Sequence, residues 1–174
     1  MITPEQRDAL FDNFTRDAFH LELRDEYGVP SETDPITRWQ RGEPDDLAWF
    51  EPWLERIRRV TAAGRTVRRV RVISEPVSAY IRWEHEIATE PTLAAGEDIR
   101  WLPRRALPDG VVWPLDGRDW WLFDDHLLAV GAFDDDGRVL GSELVTVPEI
   151  AAACVALRDR LWPLATPHRE FKLI

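Results

Sequence analysis

The sequence is short of nearly every residue that announces covalent or metal chemistry. It has one cysteine (Cys154), one methionine, and a single lysine (Lys172) among 22 Lys+Arg. A lone cysteine forms no internal disulfide, which excludes a disulfide scaffold, and no multi-Cys metal site can be built. The four histidines, His20, His85, His126 and His168, are scattered. None stands in a two-His helical spacing, although His85-Glu86 begins like one. No apolar run approaches the ~20 residues of a membrane span, so no membrane partner is expected. Met1-Ile2-Thr3-Pro4-Glu5-Gln6 lacks the basic and apolar regions of a signal peptide, which makes the cytoplasm the expected compartment. G-x-S-x-G, the Walker loop and G-x-G-x-x-G are all missing. No catalytic residue, metal or cofactor is expected.

What is present is acid, arginine and tryptophan. The 174 residues carry 32 Asp+Glu and a net charge of −10, with nine tryptophans and 44% hydrophobic residues. That length and apolar content suit one domain that folds without staples. Thr3-Pro4-Glu5-Gln6 reads as a capping box opening a helix. Phe19, Leu21 and Leu23 alternate with His20, Glu22 and Arg24, which is strand spacing. Residues 28–45 form a loop with one short helical turn, after which Asp45 or Asp46 is expected to cap a helix bearing Leu47, Phe50, Leu54, Ile57 and Val60, stopped at Gly64. A β-branched strand follows Thr66. Ser74-Glu75-Pro76 should then start a helix that stops near Pro91, and Ile99 to Leu102 form the next strand. Strand, helix and strand together have the length of a βαβ unit. Strands at 120–123, 127–133 and 138–145 follow, the last two joined by an Asp-rich turn. Thr146-Val147-Pro148-Glu149 is a second capping box before an amphipathic helix with Cys154 on its apolar face. The fold expected is α/β, with α+β as the alternative: a mixed central sheet with helices on both faces. Residues 1–64 are mainly helical and 65–174 carry the α/β part of a single domain.

Three constellations carry chemistry. Asp134, Asp136, Gly137 and Glu143 match part of a calcium loop, but the first ligand position falls on Ala132 and the flanks read as strands, so a hairpin turn is expected. Arg56, Arg58, Arg59, Arg65, Arg68, Arg69 and Arg71 make a +7 segment against −17 elsewhere. Arg58, Arg59, Arg68, Arg69 and Arg71 are the candidate partner or anion patch. Pairing with the protein's own carboxylates ranks first, a protein partner second and nucleic acid last. Finally Arg82, Glu84, Glu97, Arg100 and Arg104, braced by Tyr80, Trp83 and Trp101, form a candidate ligand site near strand ends.

The runs Arg71-Val72-Ile73-Ser74-Glu75-Pro76, Tyr80-Ile81-Arg82-Trp83-Glu84, Ala95-Gly96-Glu97, Arg100-Trp101-Leu102-Pro103-Arg104-Arg105, Trp121-Leu122-Phe123-Asp124 and Ala165-Thr166-Pro167-His168 resemble an actinobacterial family of unknown function. Its genes often sit beside Xre-type helix-turn-helix regulators. The order of elements over roughly 66–165 is also similar to phospholipase D-like domains. Their catalytic motif is H-x-K-x4-D, with histidine as nucleophile and lysine on the phosphate. Placing its aspartate on Asp124 puts Gly117 and Asp119 at the His and Lys positions, and Asp125 puts Arg118 and Trp120 there. Lys172 stands four residues after His168 rather than two. These resemblances imply a phospholipase D-like half with a helical N-terminal extension and no phosphodiesterase chemistry. The expected role is a non-catalytic regulatory protein that acts with a helix-turn-helix regulator or with itself as a homodimer. The rival is an enzyme or binder of a small anionic ligand, such as a nucleotide or phosphate ester, at the Arg/Glu cluster.

Overall fold

The computed structural model describes residues 1–173. Thr3 caps the first helix, α1 (Pro4–Asn13), its hydroxyl accepting from the Gln6 amide while the Gln6 side chain accepts from the Thr3 amide. Alternating apolar residues then form β1 (Asp17–Glu22), and a short 3-10 turn leads into α2 (Thr33–Gln40). Helix α3 (Glu51–Ala62) ends at Gly64, whose φ of +79° only glycine adopts without strain. Strand β2 (Thr66–Ile73) follows. The crossover helix runs as α4 (Ala79–Trp83), a π-helical turn at Glu84–Ala88, and α5 (Thr89–Ala95) before β3 (Asp98–Pro103). Three antiparallel strands, β4 (Trp120–Phe123), β5 (Leu127–Phe133) and β6 (Val139–Val145), precede α6 (Pro148–Leu161) and the short β7 (Thr166–Pro167).

One seven-stranded mixed sheet results, in the order β6-β5-β4-β1-β2-β3-β7. Strands β1, β2 and β3 are parallel neighbours, and β4 runs antiparallel to β1. Side-chain alternation gives the sheet two unlike faces. On one face Phe19, Leu21, Val70, Val72, Leu102, Trp120 and Leu122 pack against Cys154, Leu157 and Leu161 of α6. On the other, Ala18, Val67, Trp121 and Phe123 meet Phe11 of α1 and Leu54, Ile57 and Val60 of α3, while Ile73, Ile99 and Trp101 meet Tyr80, Ile81 and Trp83 of α4. Helices on both faces of a mixed sheet are the expected architecture. The part expected to be mainly helical, 1–64, also supplies β1, a central strand paired on both sides, so no boundary at residue 64 divides the sheet. Residue 174, at the end of the expected domain, lies outside the described residues.

Four local expectations are corrected. Asp45 and Asp46 do not cap α3; their carboxylates accept from the amides of Leu47 and Ala48, closing turns, and the helix starts at Glu51. Pro52 explains the delay, because proline is tolerated in a helix's first turn and not in its interior. Ser74 is likewise not a cap: its amide and hydroxyl both donate to Asp25, and Ser78 caps α4 instead. The crossover helix does not stop at Pro91. The π-helical turn widens the backbone just upstream, and Thr89 Oγ1 donates to the Glu84 carbonyl at 2.7 Å. Finally, α6 starts at Pro148 with Val147 before it, which leaves Thr146 one residue too early to cap. No helix among the described residues is long and apolar enough to cross a membrane.

Candidate functional site

The centre of the sheet face covered by α1, α3 and the crossover helix, between its two apolar clusters, is charged. Strand period places His20 and Glu22 of β1 beside Arg69 and Arg71 of β2 on that face. Arg69 donates to Glu22 Oε1 at 2.5 Å and to Glu97 Oε1 at 2.7 Å. Arg71 Nε lies 3.0 Å from Glu22 Oε2, off the line of a hydrogen bond, and its Nη2 contacts Glu84. Glu22, Arg69, Arg71, Glu84 and Glu97 are all buried. Burial works against the charged form of Arg69, but Glu22 and Glu97 hold its pKa raised overall. Burial raises Glu97 despite Arg69. Two cations thus sit within three carboxylates, each guanidinium between two of them.

Above this floor opens a cleft of about 550 Å³, within the usual ~300–1,000 Å³ of ligand sites. Its walls include Phe50 and Trp53 near the start of α3, Trp121 of β4, Tyr27 and Tyr80. A smaller void of about 60 Å³ lies beside Arg71, Glu84 and Thr92. His20 stacks on Trp121 with ring centroids 4.2 Å apart. Desolvation, with Arg69 adding to it, holds His20 well below the usual histidine range, so it is neutral. Two further carboxyls line the cleft. Burial, reinforced by Glu84, raises Glu32 to about 8, and burial raises Asp119 to about 6. The Tyr80 hydroxyl lies 2.7 Å from Glu32 Oε2 and 3.0 Å from Glu84 Oε1. One hydroxyl proton cannot serve two carboxylates, so neutral Glu32 donates to Tyr80 Oη, which donates to Glu84. Tyr27 donates to Asp119 Oδ2 at 2.6 Å, and the Leu23 amide donates to its other oxygen.

The residues singled out from sequence are distributed unevenly around this site. Glu84 and Glu97 belong to it. Arg82 is exposed, with Glu86 3.9 Å from it. Arg100 projects from the opposite sheet face over the Trp162 ring, 4.0 Å from its centroid. Arg104 donates to Ser74 Oγ and to the Leu23 carbonyl. The five therefore do not converge. Within the basic segment, Arg69 and Arg71 enter the floor, whereas Arg58 pairs with Glu51, Arg59 with Asp12 and Arg68 with Asp17 on the other sheet face. These five form no continuous patch. Glu22, His20, Glu32, Tyr27 and Asp119 were not singled out; the available signal was a histidine and a glutamate at alternate positions of an otherwise apolar strand. Cys154 is fully buried, with its thiol pushed up to about 12 by desolvation. Asp124 receives the amides of Thr15, Arg16 and Asp17, which fixes the start of β1. Among the described residues no group of three His, Cys, Asp or Glu is placed to hold a metal ion.

A family model described as a domain of unknown function, DUF6879, matches residues 5–173. No curated protein matches the chain. Among solved structures it is similar to the crystal structure of a phospholipase D family member, Nuc from Salmonella typhimurium, with a TM-score of 0.52 over 94% of this chain and 92% of that one. Sequence identity is 13%, so the likeness shows the fold alone.

Proposed function

The chain belongs to the DUF6879 family, and from that premise we propose that it is a non-catalytic regulatory protein that binds a small ligand in the cleft and acts through a protein partner. The observation that carries this reading is the state of the floor arginines. A site for a phosphate ester needs cations free to meet it. Arg69 is already held between Glu22 and Glu97, and Arg71 between Glu22 and Glu84. The sequence also lacks the H-x-K pair that performs phosphodiesterase chemistry on this kind of scaffold. The cleft is thus suited to binding and poorly suited to phosphoryl turnover, which also weighs against an anionic ligand. The partner is a helix-turn-helix regulator of the Xre type, on the resemblance to actinobacterial proteins encoded beside such regulators, or a second copy of this chain. The setting is the cytoplasm.

Incubation with bis(p-nitrophenyl) phosphate is expected to release no p-nitrophenol above buffer. Hydrolysis that disappears in His20→Ala would overturn the non-catalytic reading. Size-exclusion chromatography with light scattering is expected to give a complex with the regulator or a dimer. A strict monomer at micromolar concentration that also elutes unchanged beside the regulator would remove the partner.

A further inference from the structure

Resting on the reading of the cleft as a binding site, we infer that its ligand is an organic cation, a primary amine or amidine carried on a flat apolar body. Four carboxyl groups line the cleft: Glu22, Glu32, Glu84 and Asp119. The two arginines that line it are both engaged, Arg69 by Glu22 and Glu97, and Arg7 by Asp8 through Nε and Nη2. An incoming anion would have to displace a buried carboxylate to reach the Arg69 guanidinium, leaving that charge unpaired, whereas an incoming cation meets acceptors that are already there.

A second observation is independent of the number of acids. Glu22 Oε2 and His20 Nδ1, both on cleft-lining residues, are buried and make no hydrogen bond: Oε2 lies 3.0 Å from Arg71 Nε but off the line of one, and Nδ1 lies 3.3 Å from Glu22 Oε1. Glu22 is 7% exposed. The Oε2 charge is met by Arg71 while its hydrogen-bonding capacity is left unused, and an ammonium group brings three donors. The walls agree in chemistry: aromatic faces attract cations, and Phe50 and Trp53 add apolar area for the body of the ligand. Glu32 faces Glu84, Tyr80, Arg71 and Glu22. A cation seated beside Glu32 favours its charged form, so Glu32 gives up its proton as the ligand enters and the complex gains an ion pair.

Isothermal titration at pH 7 with phenethylamine, 2-phenylethanol and 3-phenylpropanoate tests this directly, because the three share one ring and differ in charge. The amine is expected to bind about tenfold more tightly than the alcohol, and the acid most weakly. The amine's apparent enthalpy should differ between phosphate and HEPES buffers, because a proton is released. Glu32→Gln keeps a donor for Tyr80 Oη through its amide N–H but has no acidic proton to lose. It should abolish the buffer dependence and weaken the amine more than the alcohol, whose retained binding shows that the variant folds. Ser31→Trp, which places a bulky ring at the cleft wall, should weaken all three. An alcohol or acid that binds as tightly as the amine would overturn the cationic assignment while leaving the cleft a binding site. Amine binding indifferent to Ser31→Trp would overturn the location. No binding of any of the three at millimolar concentration would overturn the reading of the cleft itself.

Discussion

At the scale of single residues, Glu32 makes stability depend on pH. Its folded pKa of about 8 lies above the ordinary value of 4.5, so between these values the native state holds a proton that the unfolded chain has lost. Stability therefore falls as pH rises through that window. Two neighbouring effects end earlier. Asp119, raised to about 6, acts with the same sign below that pH, and His168, lowered to about 4 from 6.5 by burial with His85 contributing, acts with the opposite sign below 6.5. Between pH 6.5 and 8 the wild-type chain is expected to lose on the order of 2 kcal/mol in urea denaturation, and Glu32→Gln to flatten that slope. An unchanged slope in the variant would remove Glu32 as its cause. Of the floor, Glu84 and Glu97 were legible in the sequence as charges near strand ends, and Arg69 and Arg71 as members of a basic partner or anion patch. Glu22 and His20 were not, because alternation in a strand normally turns its polar residues to water. Here that face is covered by α1, α3 and the crossover helix, and period alone does not say which faces will be covered.

At the scale of elements, the crossover helix shows where sequence signals conflict and how the backbone resolves them. Pro91 is a strong stop signal, yet the chain remains helical to Ala95 and ends at Gly96, with φ +110°. Ser74, Asp45 and Thr146 were plausible caps that lost to Ser78, to the proline-set start of α3 and to Pro148. Element types were legible from periodicity, whereas starts depend on which donors are free, and that is decided by tertiary partners such as Asp25. Gly96 is held by more than its φ. A Cβ there would stand 2.7 Å from Thr61 Oγ1, which itself donates to the Ala95 carbonyl and ties α3 to α5. Gly96→Ala is expected to destabilise the protein by more than about 1 kcal/mol in urea or thermal denaturation. A smaller loss would show that the α3–α5 junction yields.

At the scale of the whole molecule, the +7 segment is not a free basic surface. Arg56 pairs with Asp8, Arg58 with Glu51, Arg59 with Asp12 and Arg68 with Asp17, while Arg65 donates to the carbonyls of Phe11 and Phe14. With Arg69 and Arg71 in the floor, all seven have partners within the chain, which carries a net charge of −10. A duplex DNA mobility-shift assay is therefore expected to give no complex even at low salt. A complex with a steep salt dependence would show that the internal pairs yield to phosphate.

The position of β1 also bears on how the chain reaches this structure. Leu21 lies opposite Val70 on one side and opposite Trp120 on the other. During synthesis the strand must wait for residues 120–123 before its second neighbour exists, long after the arginines that meet Glu22 have been made. Pairing across such a sequence distance is slow, because loop closure must be met before contacts reward it. Completion of this sheet is thus held back until the fourth strand has been made. Nascent chains that stop short of the fourth strand leave an edge of β1 exposed, the kind of unpaired edge that invites aggregation.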